Sequence, residues 1–245
     1  MDPEGKAALI TGGARIGQAV AIALARRGAD VAMTFRSSKS SAEETAKKVQ
    51  ALGVRGVTVR ADLTKAADLA AAVKRVAATF GRLDILVNLA SIYERAALAS
   101  LDANVLEKNM AANLESAYLL SLQCAPWMKR RGQGRIIHFS DWIAASGRPR
   151  YKAYLPYYVS KAGVIGLTQA LALELAPEIL VNAVAPGPIL PPPDLSARES
   201  RAVKRATPLG RWGGPEEIAK AVVFLIETDF VTGECIRVDG GRHLL

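Results

Sequence analysis

The feature that most constrains the fold is the regular alternation of short apolar strands with helical segments. An apolar run at Lys6–Thr11 is followed by a glycine-rich turn, and then by a helical pattern that ends at Gly28, as a helix C-cap would. The same unit recurs along the chain, which favours a doubly wound α/β fold around a parallel sheet. The predicted strands are Lys6–Thr11, Val31–Phe35, Val57–Arg60, Leu83–Asn88, Arg135–Phe139, Leu180–Ala185 and Cys235–Val238. The predicted later helices lie near Ala42–Leu52, Lys65–Phe80, Leu106–Trp127, Tyr157–Leu175 and Glu216–Ile226.

The chain is long enough to bury a large core, and no linker interrupts its pattern. Half of its 245 residues are hydrophobic, and α/β folds of this length are commonly one domain. We therefore predict a single domain over residues 1–245. The proline-rich segment Pro186–Ala206 follows the carboxyl end of a strand, where open α/β sheets hold ligands. We interpret residues 186–212 as a substrate flap; the alternative is a stiff connector.

The net charge of +9 raises the question of a nucleic-acid partner. The basic residues are spread over predicted helices, and the densest cluster, at Lys129–Arg131, follows a helix where positive charge suits the dipole. A solvated surface explains them better than a nucleic-acid site. No apolar run is long enough for a membrane span, and the two cysteines lack metal-ligand spacing. We expect a soluble, cytoplasmic protein without nucleic-acid, membrane or metal partners.

The turn Thr11-Gly12-Gly13-Ala14-Arg15-Ile16-Gly17 joins the first strand to the first helix. Glycines at such a turn let the backbone approach a pyrophosphate, and the helix N-terminus faces its charge. This predicts a Rossmann-like dinucleotide site.

Cofactor choice follows from the end of the second strand. An acidic residue there binds the adenosine ribose in NAD enzymes, whereas a basic one accommodates the extra phosphate of NADP. Here the strand ends in Phe35-Arg36-Ser37-Ser38, without an acid. Arg36 can bind a phosphate bidentately while Ser37 or Ser38 donates a hydroxyl, so we predict NADPH.

Tyr157 and Lys161 lie four residues apart at the start of a predicted helix, and so project from one face. Reduction of C=O or C=N requires a proton at the heteroatom, which a phenol can supply. A neighbouring ammonium stabilises the phenolate, so we expect Lys161 to lower the pKa of Tyr157. Tyr154 and Tyr158 lack a lysine at this offset.

These motifs resemble those of the short-chain dehydrogenase/reductase family over essentially the whole chain. The turn resembles the family's T-G-x-x-x-G-x-G but is one residue shorter between Ala14 and Arg15. Further matches are Asp62, Asn88-Leu89-Ala90-Ser91 and Pro186-Gly187, and Asn113 matches the asparagine of a water-linked proton relay. The resemblance implies cofactor contacts from Gly12, Arg15, Ile16, Arg36, Ser37, Ser38, Asp62, Leu63, Leu89, Ala90, Ser91, Tyr157, Lys161, Pro186, Gly187 and Ile189.

The main departure from the family follows the fifth strand. Most members place a serine there to bind the substrate carbonyl, whereas alignment from Arg135 puts Asp141 at that position. Ser140 and Asp141 point to opposite faces of a strand, so we expect only one to reach the site. We favour Asp141; the alternative is that Asp141 is an N-cap or turn residue and Ser140 takes the serine's role.

An aspartate at this position resembles pteridine reductases and bacterial dihydrofolate or dihydromonapterin reductases. Its carboxyl group could accept bonds from the N–H donors of a pterin. Arg15, Ser91 and Tyr93 match substrate-side positions of those enzymes, alongside Asp141 and Tyr157. We expect Tyr93 to stack on the pterin; the alternative is that it packs on the flap.

The resemblance thus implies NADPH-dependent reduction of a dihydropterin or dihydrofolate C=N bond. The alternatives are a ketone reductase, acting for example on a 3-ketoacyl carrier protein, and a non-catalytic NADPH-binding protein. The Asn113, Tyr157 and Lys161 set argues against the last of these. The resemblance also implies a homotetramer, and we expect His138 and His243 to be structural.

Overall fold

The computed structural model describes residues 1–12 and 15–245, so Gly13 and Ala14 of the predicted phosphate turn lie outside the described residues. A seven-stranded sheet has the order β3-β2-β1-β4-β5-β6-β7, and every neighbouring pair is parallel. The strands are β1 (Ala7–Thr11), β2 (Asp30–Phe35), β3 (Gly56–Arg60), β4 (Ile85–Asn88), β5 (Gly134–Phe139), β6 (Ile179–Pro186) and β7 (Cys235–Val238). The predicted doubly wound α/β fold is confirmed.

Helices cover both faces of the sheet. They are α1 (Ile16–Ala25), α2 (Lys39–Gln50), α3 (Ala66–Phe80), α4 (Ala103–Met110), α5 (Ser116–Lys129), α6 (Trp142–Ala145), α7 (Leu155–Leu175), α8 (Ala197–Arg205) and α9 (Pro215–Glu227). A π-helical turn, Ala111–Glu115, joins α4 to α5. Short 3₁₀ turns occupy Leu98–Ser100 and Arg242–Leu244.

Alternate residues of β1 enter two separate cores. Ala8 and Ile10 join side chains from α1 and α9, whereas Ala7 and Leu9 join side chains from α3, α5 and α7. Side chains alternate between the faces of a strand, so a strand covered on both faces is apolar throughout. This is why the central strands are continuous hydrophobic runs in the sequence.

The strand order reverses between β1 and β4, which lie side by side although β2 and β3 come between them in the sequence. Thr11 and Asn88 end these two strands at the same level. In open α/β sheets a ligand crevice forms at the carboxyl ends of the strands at such a point. The fold therefore places a site beside the residues that follow β1, β4 and β5.

Two segments that were not predicted as helices are helical in the structure. The segment predicted as an irregular flap contains α8, which begins with a capping box between Ser196 and Glu199 and has no buried residue. The segment after β5, for which no element was predicted, forms the short helix α6, and Asp141 is its N-cap, as one of the alternatives weighed for this residue. In the described part of the chain, no helix is long and apolar enough to cross a membrane.

Candidate active site

The structure brings Asp141 to Tyr157 and turns Ser140 away from it. The Tyr157 hydroxyl donates to Asp141 Oδ2 over 2.9 Å. Ser140 is buried and donates instead to the Lys161 carbonyl oxygen at 2.8 Å. Asp141 Oδ1 accepts the Ile143 amide at 2.8 Å. Asp141 therefore caps α6 and also faces Tyr157. The site role and the N-cap role, which the sequence presented as alternatives for Asp141, occur together.

Tyr157 and Lys161 lie on the inward face of α7, as their spacing predicts. Lys161 is buried, its Nζ donates to the Phe139 carbonyl oxygen at 2.8 Å, and it lies 5.9 Å from the centre of the Tyr157 ring. Burial lowers the pKa of Lys161 to about 8, although the charge of Asp141 opposes this shift. The lysine therefore sits beside the phenol without a direct hydrogen bond to its hydroxyl.

The expected lowering of the Tyr157 pKa is wrong for this arrangement. Burial, and then the charge and hydrogen bond of Asp141, hold the pKa of Tyr157 well above its ordinary value. Burial also raises the pKa of Asp141, while its bonds to Ile143 and Tyr157 and the charge of Lys161 oppose the rise. The carboxylate disfavours a second negative charge 2.9 Å away. Tyr157 is consequently a neutral phenol at physiological pH and holds a transferable proton.

Asn113 lies in the π-helical turn between α4 and α5, and such bulges often occur at functional sites. Its Oδ1 accepts the Ile92 amide at 2.8 Å, and its Nδ2 donates to the Ile92 carbonyl oxygen at 3.2 Å and to Ser160 Oγ at 3.0 Å. Ser160 in turn donates to the Tyr157 carbonyl oxygen at 2.7 Å. Asn113 therefore ties the segment after β4 to the helix that carries Tyr157. Its proposed part in a proton relay stays a prediction.

Tyr93 packs on two tyrosines of the α7 region. Its ring stacks on Tyr154 with centroids 4.6 Å apart and meets Tyr157 edge-on at 4.8 Å. It remains 56% exposed, so one side of this aromatic wall faces solvent. Tyr154 was not predicted as a site residue, because it lacks a lysine partner. The position of Tyr154 three residues before Tyr157 could have indicated that both contact Tyr93, since residues at this spacing share a helix face.

A cavity of about 240 Å³ extends from β1 past the ends of β2 and β3. Eight residues of the predicted cofactor set line it: Gly12, Arg36, Ser37, Ser38, Asp62, Leu63, Ala90 and Ser91. Its other lining residues were not predicted, and they include Ser41 in the first turn of α2. That turn contains no acidic residue, so the positive end of the helix dipole is available to an anion beside Arg36.

The remaining predicted cofactor residues lie outside this cavity. Arg15 is exposed directly before α1, and Ile16 begins that helix and packs on the core. Leu89 packs on the same core. Pro186 ends β6, and Gly187 and Ile189 follow it. A Cβ on Gly187 would overlap the Asp239 side chain, which explains the glycine at this turn.

The two histidines make structural contacts. His138 is buried, and its Nδ1 lies 3.1 Å from Asn88 Nδ2. Burial, helped by the charge of Lys161, lowers its pKa to about 3, so it is neutral. His243 Nδ1 contacts Asp239 Oδ2 at 2.7 Å within the C-terminal turn. Within residues 1–12 and 15–245, no group of three acidic, histidine or cysteine side chains is placed to hold a metal ion.

Comparison with known proteins places this geometry in a family. The model of the family described as enoyl-(acyl carrier protein) reductase matches residues 13–243. The 3-oxoacyl-acyl-carrier-protein reductase FabG of Staphylococcus aureus is 36% identical over 247 residues, covering 98% of each protein. The chain belongs to the short-chain dehydrogenase/reductase family. It is accordingly an oxidoreductase.

Other members of the short-chain dehydrogenase/reductase family show the same agreement. L-rhamnose 1-dehydrogenase (NAD(P)(+)) of a Sphingomonas species is 36% identical, covering 98% of this chain and 97% of the relative. The structure of a short-chain dehydrogenase/reductase from Serratia marcescens superposes with a TM-score of 0.91 at 35% identity, covering 99% and 100% of the two chains. The structure of a blue fluorescent protein from a metagenomic library, in complex with NADPH, superposes with a TM-score of 0.90 at 31% identity, covering 99% of each chain. The expected membership is confirmed, but these relatives give no support to the pteridine reductase subgroup.

Proposed function

We propose that this protein is an NADPH-dependent reductase of a ketone, in which Tyr157 delivers the proton to the carbonyl oxygen. The observation that carries this proposal is the buried, neutral Tyr157 hydroxyl beside the buried Lys161. The relatives named 3-oxoacyl-acyl-carrier-protein reductase favour the ketone, because reduction of a 3-oxoacyl group converts a ketone to an alcohol. This substrate class replaces the pteridine as the leading proposal.

The residues of the cavity fit NADPH. Arg36 and the hydroxyls of Ser37, Ser38 and Ser41 gather at the N-terminus of α2, a donor set suited to the 2′-phosphate. When bound, the cofactor supplies the hydride. We propose that it contacts Gly12, Arg15, Ile16, Arg36, Ser37, Ser38, Asp62, Leu63, Leu89, Ala90, Ser91, Tyr157, Lys161, Pro186, Gly187 and Ile189.

The side chains divide the proton chemistry between them. The Tyr157 hydroxyl, which donates to Asp141 here, turns to the substrate oxygen and transfers its proton there. The tyrosinate left behind is destabilised by Asp141, whereas an ammonium on Lys161, with its Nζ 5.9 Å from the ring centre, attracts it. This balance favours rapid recovery of a proton by Tyr157. Asn113 acts as a positioning residue through Ile92 and Ser160.

One specific observation favours a second substrate class, a dihydropterin or dihydrofolate. Asp141 places a carboxylate beside Tyr157, and each of its oxygens has a further lone pair beyond the bonds to Ile143 and Tyr157. A pterin offers amino and ring N–H donors to such a group, whereas a simple ketone offers none. Tyr93, half exposed beside Tyr157, would supply a stacking surface, and Arg15 and Ser91 complete the proposed substrate contacts.

A substrate panel separates the two classes. We would follow NADPH oxidation with acetoacetyl thioester, a simple ketone, dihydrobiopterin and dihydrofolate, for the wild type and for Asp141→Ser. Turnover of ketones alone supports the ketone proposal, and turnover of pterins that is lost in Asp141→Ser establishes the pteridine class instead. Absence of turnover with every substrate, with NADPH and with NADH, overturns both.

The assembly and location of the protein remain proposals as well. We expect a homotetramer of single-domain subunits in the cytoplasm, with a small-molecule substrate as the main partner. Light scattering of the purified protein tests the subunit number, and a monomer at micromolar concentration contradicts the expectation.

A further inference from the structure

Two arginines meet on one buried indole next to the candidate active site. The guanidinium carbons of Arg150 and Arg242 lie 5.7 Å and 5.8 Å from the centre of the Trp142 ring. Trp142 is buried, whereas Arg150 is exposed and Arg242 half-buried. Cations at this distance from an indole are attracted to its face. The tryptophan thus fixes two positive charges that come from distant parts of the chain.

These two charges have no acidic partner in the part of the chain that the structure describes. Neither guanidinium has a carboxylate oxygen within 4.0 Å. Arg150 donates only to the His243 carbonyl oxygen, at 3.3 Å. Asp239, which belongs to the same C-terminal segment as Arg242, accepts from the Gly241 and His243 amides and contacts the His243 ring. In the described residues, two positive charges therefore share one indole without an acidic partner, an arrangement that an anion stabilises.

The position of this pair relates it to the reacting groups. Trp142 directly follows Asp141, so their Cα atoms are about 3.8 Å apart. Asp141 accepts the Tyr157 hydroxyl, and Tyr151 meets the Trp142 ring edge-on with centroids 6.2 Å apart. Trp142, on which both arginines lie, is thus the chain neighbour of the residue that faces Tyr157. A substrate whose charged group extends past Asp141 to the Trp142 ring would reach both places.

We propose that Arg150 and Arg242 bind an anionic group of the substrate, a carboxylate or a phosphate. The inference rests on the proposed reductase function and deepens it, because it assigns the substrate a negative charge on the Trp142 side of the site. The planar guanidinium is suited to either anion, because it can donate two parallel hydrogen bonds.

The test compares substrates that differ only in this charge. Acetoacetate and methyl acetoacetate form such a pair, because esterification removes the negative charge of the carboxylate. For the Arg150→Ala/Arg242→Ala variant we expect KM for the anionic member to rise about ten-fold or more, from the loss of charge-assisted hydrogen bonds. We expect kcat, and KM for the neutral member, to change less than about two-fold. The matched control is Lys152→Ala, which removes an exposed cation of the same segment that does not lie on Trp142.

Two results overturn the proposal. The first is an equal rise of KM for the charged and neutral members, which indicates a structural effect. The second is an unchanged KM for the anion.

A binding measurement separates this inference from the reductase proposal, because the complex with NADP⁺ cannot reduce a ketone. Tryptophan fluorescence of that complex should report tighter binding of acetoacetate than of its methyl ester, and the difference should disappear in the double variant. If the wild type binds both equally, the inference fails even if ketones are turned over; if the arginines select the anion but nothing is turned over, only the proposed function fails.

Discussion

Replacing Asp141 by asparagine should move the basic limb of the pH–rate profile for reduction to lower pH. Reduction requires the protonated phenol of Tyr157, so the rate falls as pH rises through its pKa. In the wild type, burial and the Asp141 carboxylate hold that pKa well above its ordinary value. Asparagine keeps the shape and the N-cap of α6 but removes the charge.

The distance between the two groups gives the size of the effect. A phenolate and a carboxylate 2.9 Å apart repel by about 1.4 kcal/mol in bulk water and by about 6 kcal/mol at an effective dielectric constant of 20. Since one pKa unit corresponds to about 1.4 kcal/mol, the limb should move down by about one to four units. The charge of Asp141 also raises the pKa of Lys161. Without that charge Lys161 becomes neutral at lower pH, which also moves the fall in rate to lower pH.

The assay is kcat/KM against pH for the wild type, Asp141→Asn and Asp141→Ala, with NADPH affinity and Tm measured alongside. The alanine variant loses the cap as well as the charge and should be less stable by about 1 kcal/mol. If the basic limb of Asp141→Asn stays in place or moves to higher pH, the carboxylate does not control the proton of Tyr157.

Three further predictions concern other parts of the site. Arg36→Ala should weaken NADPH binding about ten- to hundred-fold while leaving NADH binding nearly unchanged, because one charge-assisted phosphate contact is lost; fluorescence titration of both cofactors checks this, and equal losses would contradict it. Asn113→Ala leaves the Ile92 amide without its partner and should lower the free energy of unfolding by about 1–3 kcal/mol, as measured by urea denaturation. Lys161→Met should abolish turnover. The same variant should raise the free energy of unfolding of the ligand-free protein near neutral pH by up to about 3 kcal/mol. The loss of the hydrogen bond from Lys161 to the Phe139 carbonyl oxygen reduces this gain. Folding lowers the pKa of Lys161 from 10.5 to about 8, so the wild type bears its full penalty below pH 8, and the gain should shrink as pH rises from 8 to 10.5; a gain that grows with pH would refute this.

The parallel sheet was predictable because its strands are buried on both faces. Ala7–Thr11 is buried at every position, which makes it a continuous apolar run, and Gly12 marks the turn that follows it. The predicted strand bounds therefore differ from the observed ones by no more than two residues at any end. Helix α8 was missed because none of its residues is buried and no apolar stripe marks it, although the Ser196–Glu199 capping box was a usable signal.

The candidate site was predictable where residue spacing along one element decides the geometry. Tyr157 and Lys161 share a helix face, so their proximity follows from local structure, whereas Asp141 was placed beside them by the family resemblance. The direction of the Tyr157 pKa shift was not predictable, because it depends on burial and on a carboxylate brought from another element. The meeting of Arg150 and Arg242 on Trp142 joins three separated segments, and no local pattern indicates it.

The most direct test of the central claim is NADPH consumption by the wild type and by Tyr157→Phe, with cofactor binding measured separately. We predict that the wild type reduces its substrate with NADPH in preference to NADH. Tyr157→Phe should bind NADPH normally and lose turnover by a factor of about 10²–10⁴, the contribution typical of a positioned proton donor. A phenylalanine variant that retains turnover would show that Tyr157 is not the proton donor and would contradict the account.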